Sequence, residues 1–438
     1  MTEPVGTGSE AAAVDFLAGL GAAMIAANYP INLVRSILTT AAGRYGLTNQ
    51  LLVLPHYIQL GGSDHVGGTP MRVVRVDRDL RYDQTFPLSA LVDRAEHGRI
   101  SAEEGVVELD RIQALRRRFP PWVSVIGYAV QSAAFALILQ PTPLALLAAT
   151  VFGLGIGGLE LLGRLSRAID QLLPTISAFL VAVTTFSMAG LWHVGQQSLL
   201  VLAPPLALFL PGAAITIAVI ELSTREVVSG SAHLVDGFIR LAQLAFGIVV
   251  AEQLVGLTAS ELSVAPVNQF GLWAPWLGVA VYAVGVMLSF GPPTRFLPWL
   301  LPILLVAYSG QVVANALFGS YASGFGGGLA LMFCASAISE RPHTPTIATL
   351  LLPGFWLLVP GSISLFAVTQ LIGANSSALI NAALISILSI ALGIQAGLLV
   401  WRAFSQLHRA ARAARRWGSG TPSSRRPCPP GPGRGGCR

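Results

Sequence analysis

A few polar residues stand inside long apolar stretches, and their types suggest proton or solute chemistry. Glu160 follows Gly153, Gly155, Gly157 and Gly158. Glu221 closes the apolar run that begins at Pro211. Ionisable groups in such surroundings are costly and are functional candidates by default. Glu160 and Glu221 are therefore candidates to carry a proton. Glu160 has an equal alternative, an ion pair with Arg164 one helical turn on. Glu252 sits near the end of an apolar run, where an interfacial position explains it as well. Gln311 and Asn315 lie four apart and share a helix face. They can bind a polar solute or bond a neighbouring helix.

A second kind of candidate is backbone. The run Pro211-Gly212-Ala213-Ala214-Ile215-Thr216 through Glu221-Leu222 resembles Pro360-Gly361-Ser362-Ile363-Ser364 through Gln370-Leu371. Both open on Pro-Gly, continue with small residues and keep Ala-Val and Leu in register. Proline removes a helix hydrogen bond and glycine adds no side chain, so freed backbone groups can face a cavity. Pro211, Gly212, Thr216, Glu221, Pro360, Gly361, Ser364 and Gln370 thus form a candidate substrate or ion site. Simple kinking of two helices for packing is the competing explanation.

These residues are carried by apolar segments long enough to cross a bilayer, which takes about 20 residues. Ten such segments run over 122–139, 144–162, 174–192, 199–221, 237–255, 272–290, 297–318, 326–339, 347–371 and 379–401. The fourth is interrupted by Pro204, Pro205 and Pro211, and the eighth is short and glycine-rich, so either can be re-entrant. Arginine tests the count, because the chain has no lysine. Alternate connections hold Arg116–Arg118, Arg164 and Arg167, Arg225, Arg295, Arg341, and then Arg402 onward; the intervening ones have none. Inside loops carry the basic excess. Ten spans with both termini cytoplasmic explain this alternation, and nine or eleven would break it.

The expected fold is a mainly α polytopic membrane protein with about ten transmembrane helices in two inverted five-helix repeats, preceded by a small α/β cytoplasmic domain. The expected divisions are 1–121 for that domain, 122–257 and 270–402 for the repeats, and 403–438 for a basic, disordered tail. The two Pro-Gly runs fall in the fourth and ninth segments, the same place in each set of five. An odd number of spans per repeat inverts the second copy, and transporters place their sites where such interrupted helices meet.

Composition narrows the function classes. Charged residues are 11% and hydrophobic residues 53%, against about 25% charged in an ordinary soluble protein. The net charge of +6 belongs to loops and tail, so nucleic acid is not an expected partner. Cys334, Cys428 and Cys437 have no metal-ligand spacing. No cofactor, metal or catalytic nucleophile is expected, and the chain does not read as an enzyme. No Walker motif is present to drive a primary pump. In the N-terminal region helices are expected near 10–27, 31–45 and 87–97, with strand-like runs at Leu51–Leu60 and Met71–Val76. The glycine-rich stretch Gly61–Gly68 joins those runs as a hairpin connection. Ser101 to Glu104 is a capping box for a last helix running to Arg118.

Several stretches together resemble the threonine/serine exporter family. They are Thr69–Val76, Gly98–Glu104, Leu210–Ala214 with Val228–Ala232, and Val359–Gly361. The resemblance extends over about residues 15–405. One departure is Pro30, where the family usually continues a helix. The resemblance implies a multi-pass protein of the cell membrane that exports threonine, serine or similar small polar amino acids in exchange for protons. Related split-chain members imply dicarboxylates or other small metabolites as an alternative cargo, and a passive channel is a further alternative. The implied partners are substrate, protons and lipid, with a homo-oligomer possible.

Overall fold

The computed structural model describes residues 10–47, 50–61, 71–76, 80–140, 142–188, 198–256, 270–341, 344–345, 347–358 and 377–418. The N-terminal elements are α1 (Glu10–Ala26), α2 (Ile31–Arg44), β1 (Gln50–Leu54), β2 (Tyr57–Gly61), β3 (Met71–Arg75), α3 (Tyr82–Glu96) and α4 (Ala102–Gln113). The strands form one antiparallel sheet in the order β1-β2-β3. Leu54 pairs with Tyr57 and Gly61 with Met71. The single run expected over Leu51–Leu60 is therefore two strands, because Pro55 and His56 form a tight turn. The glycine stretch does connect antiparallel neighbours, although residues 62–70 lie outside the described ones.

Helix α1 is the centre of this module. Phe16, Leu17, Leu20 and Met24 are fully buried against the sheet, α2 and α4. Its apolar residues cover all sides, so it is a core helix and not an amphipathic one. The expected end of α4 at Arg118 is corrected to Gln113. Gln84 of α3 donates to the carbonyls of Ile112 and Gln113, both at 2.9 Å, and Arg81 donates to that of Leu115 at 2.7 Å. Those side chains satisfy the last carbonyls and stop the helix there. Helix α3 likewise begins at Tyr82, five residues before its expected start, because Gln84 caps the Arg81 amide at 3.0 Å; Pro87 sits inside it.

The remaining helices are α5 (Pro121–Leu139), α6 (Pro143–Gly163), α7 (Arg167–Ser187), α8 (Ser198–Leu206), α9 (Gly212–Ser223), α10 (Val227–Val255), α11 (Ala274–Phe290), α12 (Leu297–Phe318), α13 (Ser320–Ser339), α14 (Ile347–Leu358) and α15 (Ser377–Gly418). Among the described residues seven helices are long and apolar enough to cross a membrane: α5, α6, α7, α10, α12, α13 and α15. Helices α11 and α14 are apolar but shorter. Large apolar side chains such as Leu147, Val151, Leu154 and Phe246 point outward, as a lipid-facing surface requires. The fourth expected segment is not one helix. It breaks into α8, a 3-10 turn over Ala207–Phe209, and α9, with Pro211 at the break. The eighth is longer than its glycines suggest. A Cβ on Gly326 would lie 2.5 Å from the Gly310 carbonyl, and one on Gly328 would lie 2.6 Å from that of Ile390. Those glycines let α13 lie close to α12 and α15.

Candidate functional site

Helices α9 and α10 meet in a tight turn at Thr224–Glu226, with Arg225 in the left-handed region at φ 67°. The turn places three groups together. Glu221, in the last turn of α9, has a fully buried side chain. Its Oε1 accepts the Ile31 amide at 3.0 Å, and its Oε2 lies 2.7 Å from His233 Nδ1. Ile31 opens α2, so the carboxylate meets a free amide at the positive end of a helix dipole. Pro30 shapes this contact: it starts the helix without an amide of its own, and the first donor falls to Ile31. One turn further, Arg35 grips Glu226 of the same α9–α10 turn through both guanidinium nitrogens, with Nη2 to Oε2 at 3.0 Å. A buried carboxylate needs such compensation. The departure at Pro30 is thus a docking feature.

Glu160 has a different setting. Arg164 holds it with contacts of 2.8 Å to both carboxylate oxygens, so the ion-pair alternative describes this residue. The pair lines a cavity of 380 Å³ between the N-terminal module, the ends of α5, α6 and α11, and α14 at Leu352 and Trp356. Arg81, Asp83, Arg117 and Arg118 contribute further charges to its wall, and Ser124, Tyr128 and Ser289 contribute hydroxyls. Asp83 is held by Arg81 at 3.0 and 3.1 Å. Burial, with Arg164 and Arg81 next, lowers the pKa of the Arg117 guanidinium; Glu160 and Asp83 partly offset this.

The other sequence candidates separate. Pro211 is buried at the start of α9, and Gly212 opens that helix. Thr216 lies in α9, and its side chain is outside the described residues. Gln311 and Asn315 both lie on α12, where Asn315 is exposed; neither lines the cavity, and neither side chain makes a hydrogen bond among the described residues. Pro360, Gly361, Ser364 and Gln370 lie outside the described residues. Sequence reasoning missed His233, Arg35 and the Ile31 amide, as well as Arg81, Asp83 and Arg117. His233 carried one signal, its place two helical turns into the segment that follows Glu221.

The module also reaches the later helices. The Tyr82 hydroxyl donates to the Thr349 carbonyl of α14. Phe86 meets Phe296 edge to face at 4.8 Å, and Tyr82 meets Phe290 at 6.1 Å. Contacts of α2 with the α9–α10 turn and of α3 with the region around α11, α12 and α14 therefore hold the module over both parts of the bundle.

The family model described as "Putative threonine/serine exporter" matches residues 15–255, more than half of the chain and including the Glu221–His233 pair. Curated relatives are named pheromone-regulated membrane protein 10. The protein from Candida glabrata is 25% identical over 55% of this chain and 31% of its own length. That from Saccharomyces cerevisiae (strain ATCC 204508 / S288c) is 29% identical over 42% of this chain and 49% of its own. That from Eremothecium gossypii is 22% identical over 73% of this chain and 44% of its own. The chain thus spans about half or less of the length of these relatives. No solved structure matches it. The α/β module, the apolar helices and the family match together make this a membrane protein that belongs to the threonine/serine exporter family.

Proposed function

We propose that this protein is a secondary active exporter of small polar amino acids, threonine and serine first, driven by protons entering in exchange. The observation that carries this reading is the buried Glu221 carboxylate beside His233 at the turn between α9 and α10. A carboxylate and an imidazole in contact can share and pass one proton. The pair closes α9, the short helix that Pro211 opens where the fourth apolar segment is interrupted; transporters build their sites on such interrupted helices. On this reading the N-terminal module and both termini are cytoplasmic, in the cell membrane.

The ten-span, inverted-repeat architecture belongs to the same proposal. Packing supports it: α5 packs on α11, the first helices of each proposed set of five. The third and fifth helices pack together in both sets, as α7 with α10 and as α13 with α15. Symmetry of this kind suits alternating access better than a passive pore.

Efflux from preloaded cells tests the function. Labelled threonine or serine leaves faster with the protein than without it, and a protonophore abolishes the difference. Protein-dependent efflux that ignores the protonophore would point to a passive channel and overturn the coupling.

A further inference from the structure

We propose that the cavity between the N-terminal module and the membrane helices binds a small organic carboxylate, with Arg117 as its principal contact. The inference goes beyond the exporter reading: it concerns a second site, whose lining includes neither Glu221 nor His233.

Four guanidiniums line the cavity, Arg81, Arg117, Arg118 and Arg164, against two carboxylates, Asp83 and Glu160. The difference, 4 − 2, leaves the wall at +2. Both carboxylates are taken, Asp83 by Arg81 and Glu160 by Arg164. Among the described residues of the wall no acidic group is left over for an ammonium or a metal ion. Arg118 is partly committed, donating to the Pro292 carbonyl at 2.9 Å and lying over the Phe119 ring. Among the described residues no hydrogen bond or ion pair holds Arg117; Glu160 and Asp83, each paired with another arginine, act on it only through space.

The repulsion that Arg117 feels from Arg164 and Arg81 would be relieved by an anion between them. A guanidinium matches a carboxylate as a two-pronged fork. The volume of 380 Å³ suits a metabolite. The hydroxyl-bearing wall at Ser124, Tyr128 and Ser289 suits a polar one. With both acidic groups occupied, a dicarboxylate fits this wall better than a zwitterion.

Binding to the purified full-length protein in nanodiscs of neutral lipid, without any gradient, tests the site. The probes are labelled succinate, threonine and inorganic phosphate. We expect succinate to bind most tightly, Arg117→Gln to weaken it at least tenfold, and Arg117→Lys to restore part of the loss. Arg116→Gln, whose residue does not line the cavity, should bind as the parent does; equal thermal stability of the variants excludes unfolding. Succinate binding unchanged in Arg117→Gln, absent from the parent, or no tighter than phosphate would overturn the proposal. Adding anionic lipid to the nanodiscs separates a headgroup from a soluble ligand: if it displaces succinate, a lipid headgroup owns the site and the proposal fails. Because no gradient is used, exporter activity and this site can fail independently.

Discussion

Two carboxylates look alike in the sequence and differ in their surroundings. Glu160 has its arginine four residues away on the same helix, so its partner was legible. The partners of Glu221 were not. The Ile31 amide is 190 positions away, and His233 lies across a turn whose geometry depends on Arg225 at positive φ. Removing Glu221 and removing its charge should differ. Glu221→Ala strands a buried amide and should cost on the order of 3 kcal/mol, seen as a large drop in melting temperature of the purified protein. Glu221→Gln keeps an acceptor for Ile31 and should stay folded while losing proton coupling. Equal melting temperatures for the alanine variant and the parent would contradict the contact. Arg35–Glu226 is more exposed and should contribute under about 1 kcal/mol in a double-mutant cycle.

Tyr45 makes a pH prediction at the same scale. Its hydroxyl donates to the Ile100 carbonyl at 2.8 Å, and burial pushes its pKa from 10 up to about 12. Below pH 10 the phenol is neutral both folded and unfolded. Between pH 10 and about 12 the unfolded chain gives up this proton and the folded module keeps it. Stability therefore falls as pH rises through that window. Partial exposure of the group makes the effect small. Alkaline titration of melting temperature should show a shallower decline in Tyr45→Phe than in the parent; parallel curves would contradict it.

Elements were legible where local chemistry set them. The Ser101–Glu104 capping box starts α4 as its spacing requires, with Glu104 N to Ser101 Oγ at 3.2 Å. Pro211 breaks the fourth apolar segment as expected. Element ends set by neighbours were not legible, which is why α4 stops at Gln113 under side chains of α3. The glycines of α6 divide by face in the same way. A Cβ on Gly153 would lie 2.5 Å from the Ser132 Cβ, and one on Gly157 would lie 2.8 Å from the Val125 Cα, while Gly155 and Gly158 face open space. Gly157→Leu should push α6 from α5 and lower the yield of monodisperse protein severalfold in fluorescence-detected chromatography. Gly155→Leu should leave it unchanged. Equal behaviour of the two variants would contradict this packing.

Across the whole molecule, the module joins parts of the bundle that are far apart in the chain. Helix α2 reaches the α9–α10 turn through Ile31 and Arg35, and α3 reaches Thr349, Phe290 and Phe296 through Tyr82 and Phe86. These are long-range contacts, each made by at least one side chain, and the amphipathic patterns of the segments carry no record of them. Phe86→Ala should loosen the second attachment and leave the first in place. Hydrogen exchange should then rise in α3 and around Phe296, with the amides around Glu221 unchanged. A uniform rise throughout the module would show that it unfolds instead.

The central claim is that Glu221 couples cargo to protons, and proton movement in proteoliposomes tests it most directly. A threonine gradient is imposed across the membrane, and a trapped dye reports internal pH. The account predicts proton movement opposite to threonine in the parent protein, and threonine flux without proton movement, or no flux, in Glu221→Gln. Proton movement of equal size in Glu221→Gln would contradict it, as would threonine flux in the parent with no pH change.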